Sequence, residues 1–127
     1  MAFRFPDKDP DEKLDYTVDW SRYLERDSLT IADVTWKIEK EDGTAIDFDI
    51  GFSFEDDALV TNSASTTGLT CSNIPSPTDT TTTIVLEKGI ANLTYILICQ
   101  ITTTVSAKTT APIITDRKIK LRVRERT

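Results

Sequence analysis

The side chains able to do chemistry here are carboxylates and thiols, because the 127 residues include no histidine. Without imidazole the commonest general base and metal ligand are missing, and so is every Ser–His or Cys–His nucleophile. Asp47, Asp49, Glu55, Asp56 and Asp57 crowd one stretch of the chain. Two carboxyls held across a cleft can hydrolyse a glycoside, and a cluster of oxygens can hold Ca²⁺. The stretch lacks the spaced Asp/Asn ligands and closing Glu of a calcium loop. Read as a strand, it alternates Asp47 and Asp49 with Phe48 and Ile50, and a solvated acidic face or loop is the simpler account. Asp9, Asp11 and Asp15 also lie close together, but Pro10 and Lys13 intervene and suit an exposed contact arm better than a metal loop. Gly43, Gly51, Gly68 and Gly89 are too scattered to cradle a phosphate. The expectation is a non-enzyme with no catalytic residues, metal or cofactor.

Cys71 and Cys99 lie 28 positions apart in apolar, strand-like segments. An immunoglobulin-type disulfide wants a Trp between the cysteines and a Tyr two residues before the second. No Trp separates them, and Tyr95 precedes Cys99 by four. Two buried, reduced thiols are therefore expected.

Charge narrows the partners. A net charge of −6 disfavours nucleic acid, since phosphate binding needs a basic surface. Between Glu41 and Glu87 there are nine acidic residues and no Lys or Arg. The last twelve residues instead hold six basic residues against two acidic ones. Such polarity suits a subunit that meets a neighbour head to tail. No run of about 18 apolar residues exists to span a membrane. The N-terminus has no apolar core of signal-peptide length, so synthesis in a cytoplasm is expected.

The elements that must position these residues are strands. Thr80 to Val105 reads as two apolar, β-branched strands around a turn containing Gly89 and Asn92, the expected central hairpin. Upstream, Tyr16, Val18 and Trp20 share one face of a short strand, and Ser21 to Arg26 suits a single helical turn capped by Ser21. Ser28 to Lys40 forms a long strand whose apolar parity switches at Ala32–Asp33, the mark of a β-bulge. Asp42–Gly43 signals a hairpin into Ala45–Phe54. Asp57–Asn62 follows as a short element, Ser63–Gly68 as a turn, and Thr67–Ile74 as a further strand. A loop from Ser106 to Pro112 precedes the last strand, Ile113–Arg124. There Ile119, Leu121 and Val123 face in while Lys118, Lys120, Arg122 and Arg124 face out. That outward row is either a basic stripe for an acidic partner surface or passing DNA, or an edge strand guarded against unwanted pairing. About seven strands with frequent turns predict an all-β, immunoglobulin-like β-sandwich over residues 16–127, with a small barrel as the competing solution. Residues 1–15, interrupted by Pro6 and Pro10, predict an extended N-terminal arm. Trp20 is expected to fold onto the core, and the residues before about 14 are not.

The segment Asp9–Trp20, DPDEKLDYTVDW, resembles the opening of tailed-phage fiber-tail adaptor or neck proteins, with their DPDxxLDYxxDW pattern. Leu29, Ile31 and Trp36 match the strand that follows it in those proteins. The likeness continues through Gly68–Ser72, Thr80–Val85, Gly89, Thr94–Tyr95, Ile101–Thr103 and the basic strand after Asp116. It departs at Ser63–Thr67, Ser106–Thr115 and Glu87–Ile90. The resemblance implies a structural protein of the virion, made in a bacterial host's cytoplasm. It would join head, neck and tail components or attach fibers near the portal. Its implied partners are portal, connector, tail or fiber subunits, within a symmetric homo-oligomer and without a membrane. Phe3, Phe5, Asp9, Asp11, Leu14 and Tyr16 of the arm, with Lys118, Lys120, Arg122 and Arg124, are the expected partner-binding residues. A capsid cement protein and a carbohydrate-binding module on a fiber are the alternatives. The second needs exposed aromatics, and Trp36 sits at a core-facing parity.

Overall fold

The computed structural model describes residues 3–25, 29–53, 58–61, 65–75, 77–104 and 113–125. They form a two-residue strand, eight further strands and one short helix. In chain order these are β1 (Phe3–Arg4), β2 (Lys13–Asp19), α1 (Ser21–Glu25), β3 (Ile31–Lys40) and β4 (Ile46–Ser53). Then come β5 (Ala58–Val60), β6 (Leu69–Asn73), β7 (Thr81–Lys88), β8 (Thr94–Thr103) and β9 (Ile114–Arg122). One sheet runs β1-β9-β8-β3-β4-β5 and the other β2-β7-β6. Every pairing between neighbouring strands is antiparallel except that of β1 with β9. The all-β sandwich is thus present, with more strands than the seven expected.

The strand order is that of an immunoglobulin variable-type domain. β2, β7 and β6 take the places of strands B, E and D. β9, β8, β3, β4 and β5 take those of G, F, C, C′ and C″. Period-two patterning supplies the core between the sheets. Tyr95, Leu97, Cys99 and Ile101 of β8 meet Ile84 and Leu86 of β7, Trp36 and Ile38 of β3, and Leu121 of β9, all fully buried. The bulge expected at Ala32–Asp33 appears as a register shift between Ile31 and Asp33 in the β3–β8 pairing. It brings Ile31 inward together with Val34 and Trp36. The Asp42–Gly43 turn is also present, with Gly43 at φ 77° and the Asp42 carboxylate accepting from the Thr44 amide and hydroxyl.

Three expectations need correction. The chain does reverse after β7, with Lys88, Gly89 and Asn92 at positive φ. However, β7 and β8 lie in different sheets, so the connection is an arch and not a hairpin. Turn residues report that a chain turns back, whereas the partner of the returning strand depends on what its faces bury. Gly89 suits this corner twice over: its φ is 106°, and a Cβ there would come within 2.9 Å of Val123 Cγ2. At α1, the Ser21 amide donates to the Asp19 carboxylate at 2.8 Å, so Asp19 supplies the acceptor that Ser21 was expected to provide. The third correction concerns the N-terminal arm. The expected Ser106–Pro112 loop lies outside the described residues.

Candidate partner-binding surface

The N-terminal residues lie on their own domain. Phe3 and Arg4 pair in parallel with Ile119 and Lys120. The Phe5 amide donates to Lys120 O at 2.9 Å, the Lys8 amide to Arg122 O at 3.0 Å, and the Arg124 amide to Lys8 O at 2.8 Å. Phe5 is buried and stacks on Tyr16 with ring centroids 4.7 Å apart. The expectation that residues before 14 stay off their own core is therefore corrected. The reason is the unsatisfied edge of β9: its outward-facing backbone groups accept an extended segment, and proline-restricted chain is already extended.

The sequence DPDE then closes a turn. The Asp9 amide donates to the Glu12 carboxylate at 2.9 Å, the Glu12 amide to Asp9 O, and the Asp11 amide to the Asp9 carboxylate at 2.8 Å. The Glu12 side chain reaches back as in a capping box, while the Asp9 carboxylate takes the amide two residues on, and Pro10 occupies the position where no amide is needed. Lys8, fully buried, ties the turn to the domain: its Nζ donates to Asp9 O at 2.8 Å and Lys88 O at 2.7 Å. Burial lowers its pKa, while Glu12 and Asp9 favour the charge. So Asp9 is a turn-forming residue buried on its own chain, whereas Asp11 is exposed and Leu14 half-buried.

The outward row on β9 is as expected. Lys118, Lys120, Arg122 and Arg124 are all exposed, opposite buried Ile119, Leu121 and Val123. β9 is not a bare edge, however, because the arm runs beside it. Register places Lys118 beside Ile98 and Lys120 beside Ile96. Lys37, next to Ile98, sits 5.1 Å over the exposed Phe48 ring, and Lys120 reaches Glu41 at 3.4 Å. This broad face is thus a row of cations over a partly apolar floor.

Arg117 escaped the sequence reading. It lies at the inward parity of β9, with its guanidinium 4.4 Å over the Trp20 ring and Nη1 donating to Asp19 O at 3.1 Å. A charged residue at a core parity was the signal that could have found it.

The acidic stretch resolves differently from a ligand site. Asp47 is buried, and Oδ1 accepts from the Thr66 amide (2.9 Å) and hydroxyl (2.7 Å). Oδ2 accepts from the hydroxyls of Ser65 (3.0 Å) and Thr67 (2.8 Å). Burial pushes the carboxyl up, but these hydrogen bonds outweigh it and hold the pKa at about 2. The solvated acidic face expected here is therefore corrected at Asp47, which clasps a turn. The side chains of Asp49, Glu55, Asp56 and Asp57 lie outside the described residues. Among the described residues no three metal-ligating side chains gather. Both cysteines are free and buried, as expected, and burial pushes Cys71 to about 11 and Cys99 to about 12. No helix among the described residues is long and apolar enough to cross a membrane.

Fold and surface together define an all-β sandwich whose exposed features, among the described residues, include strand edges and a charged row. Residues 8–61 match the family model described as Podophage GP4 fiber-tail adaptor protein gp77, which supports the resemblance to a phage fiber-tail adaptor family. The match runs from Lys8 through the DPDE turn and on to β5. The likeness drawn over the C-terminal half lies beyond it. No curated protein matches the chain.

Proposed function

We propose that this chain is a non-enzymatic structural protein of a phage virion that attaches fibers to the tail or joins layers of the neck near the portal. The observation that carries the reading is the family match over residues 8–61, which includes the segment DPDEKLDYTVDW. In this reading the sandwich is a rigid wedge and several copies stand in a symmetric ring. The exposed row Lys118, Lys120, Arg122 and Arg124 meets an acidic surface of a neighbouring virion protein, and Asp11 of the turn and Leu14 of β2 add further contacts. Phe5, Asp9 and Tyr16 act indirectly, by holding the arm beside that row.

Particles assembled with Lys118, Lys120, Arg122 and Arg124 changed to Glu test this. The purified variant should fold normally, because exposed substitutions shift stability by about 0.5 kcal/mol or less, yet be missing from purified particles. Wild-type protein should be present at on the order of a dozen copies, as a ring-symmetric position holds. Incorporation of the variant at wild-type level, or a wild-type count in the hundreds as for a capsid cement protein, would overturn the reading.

A further inference from the structure

β2 is the edge of the three-stranded sheet, and it is unlike the other edges. β6 breaks register between Cys71 and Asn73, β5 has three residues, and β9 is accompanied by β1. β2 instead runs seven residues in unbroken register with β7. The Trp20 amide donates to Thr80 O at 2.8 Å, so the even-numbered residues of β2 exchange hydrogen bonds with β7. The main-chain N–H and C=O groups of Lys13, Asp15, Thr17 and Asp19 therefore point away from β7. The Arg117 guanidinium reaches Asp19 O from that side. Among the described residues, no hydrogen bond takes up the outward backbone groups of Asp15 and Thr17. In an immunoglobulin constant-type domain this side of strand B is paired by a first strand, whereas here the N-terminal strand follows β9.

The side chains of this edge form two rows. Lys13, Asp15, Thr17 and Asp19 are exposed on the outer face of the sheet, and Leu14, Tyr16 and Val18 share the inner one. Leu14 is only half-buried, although it has the parity of buried Tyr16 and Val18. Beside the far end of the strand lies a cavity of about 270 Å³. Phe5, Val18 and Ile119, all buried, give it an apolar lining.

We propose that the free chain pairs with a second copy of itself, β2 against β2 about a two-fold axis at Tyr16, so that the two three-stranded sheets become one. Antiparallel pairing sets outward residues opposite outward residues, so the axis passes through a residue and not between two. An axis at Asp15 would oppose that carboxylate to its own copy, and one at Thr17 would oppose Asp15 to Asp19 twice. The axis at Tyr16 instead opposes Lys13 to Asp19 twice and Asp15 to Thr17 twice, and it overlaps all seven residues of β2. Opposite charges directly across two strands stabilise the pair and like charges oppose it, so charge selects this register. Asp15 of each copy then exchanges main-chain hydrogen bonds with Thr17 of the other. The same register lays Leu14 of one copy across from Val18 of the other on the inner face, beside the apolar cavity. Neighbours in a cyclic ring are not related by a two-fold axis, so the pair is the form of the protein before assembly. Nothing in the pairing itself depends on the structural-adaptor reading.

The test uses the purified full chain in about 0.15 M salt, which screens repulsion between two molecules of net charge −6 beyond roughly 8 Å. Sedimentation should show a monomer–dimer equilibrium. Lys13→Asp and Asp19→Lys should each weaken self-association about tenfold or more, because two opposed pairs turn repulsive at once. Mixed together, the two variants should form a heterodimer more readily than either pairs with itself, since each supplies the sign the other lacks. In the wild type, NMR hydrogen exchange at the Asp15 and Thr17 amides should slow as concentration rises. Tyr16 and Val18, already bonded to β7, should change little. Asp19→Lys also gives up the carboxylate that accepts from the Ser21 amide, and if it fails to fold the wild-type exchange pattern still decides. The proposal is overturned by a chain still monomeric at about 1 mM, or by a dimer whose Asp15 and Thr17 amides stay as fast as in the monomer. Folded variants that self-associate like the wild type, or that form no heterodimer, also overturn it. These readouts concern the free protein and not the particle, so failure here is distinct from failure of the structural-adaptor reading.

Discussion

Asp47 and Cys99 show how single polar groups are accommodated in this small core. Five donor side-chain and backbone groups from residues 65–67 surround the Asp47 carboxylate, so ionisation is stabilised by folding. Its folded pKa, about 2, lies below the ordinary value of 3.8. A depressed carboxyl contributes stability that is complete above the unfolded pKa and is lost as pH falls through the folded one. Unfolding free energy should therefore drop between about pH 4 and pH 2 by roughly 2 kcal/mol from this group. Denaturant titrations of Asp47→Asn should show that acid-dependent loss removed, on a lower overall stability. Cys99 is fully buried, with its thiol 3.4 Å from the Thr82 hydroxyl. Cys99→Ser should cost about 1–3 kcal/mol through a less well matched buried polar atom. Added reductant should leave the wild-type melting temperature unchanged, and a fall would indicate a disulfide.

At the scale of elements, the arm and the β7–β8 arch decide what the surface presents. The arm holds to β9 by a few backbone hydrogen bonds, the Phe5–Tyr16 stack and the buried Lys8. Phe5→Ala removes the stack and should destabilise the domain by about 3 kcal/mol. It should also speed amide exchange at Phe5, Lys8 and Arg124 ahead of the core strands, as measured by NMR. Exchange that accelerates uniformly would mean the arm unfolds only with the whole domain. At the arch, the Tyr95 hydroxyl accepts from the Ile90 amide at 3.0 Å and donates to Thr67 O at 2.9 Å. It joins the corner to the turn that Asp47 organises, much as a tyrosine corner does in this fold. Tyr95→Phe should cost about 1–3 kcal/mol in thermal or denaturant unfolding, since both backbone groups lose a buried partner.

For the whole molecule, the pairings that matter connect distant parts of the chain. β8 lies between β3 and β9, and β2 reaches across to β7. Such non-local pairing makes folding slow, so refolding should take on the order of milliseconds to seconds. Trp20 and Trp36, both buried, provide the fluorescence signal for a stopped-flow measurement. Microsecond refolding would contradict this topology. Charge is also organised at this scale: Lys118, Lys120, Arg122 and Arg124 gather on one side of a molecule whose net charge is negative.

Alternation alone revealed most strands, because a residue's parity on a pleated chain determines which sheet face it joins. That is why Ile119, Leu121 and Val123, the bulge at Ala32–Asp33 and the burial of Trp36 were all legible from the chain. The motif at Asp9–Trp20 likewise pointed to the family before any coordinates. What parity cannot report is which strand lies alongside which. Whether β7 and β8 pair, where residues 3–9 rest and what surrounds Asp47 all depend on contacts between residues far apart in the chain. Those were decided only in three dimensions, where backbone groups left open at one edge are met by whichever extended segment the packing of the two sheets brings beside them.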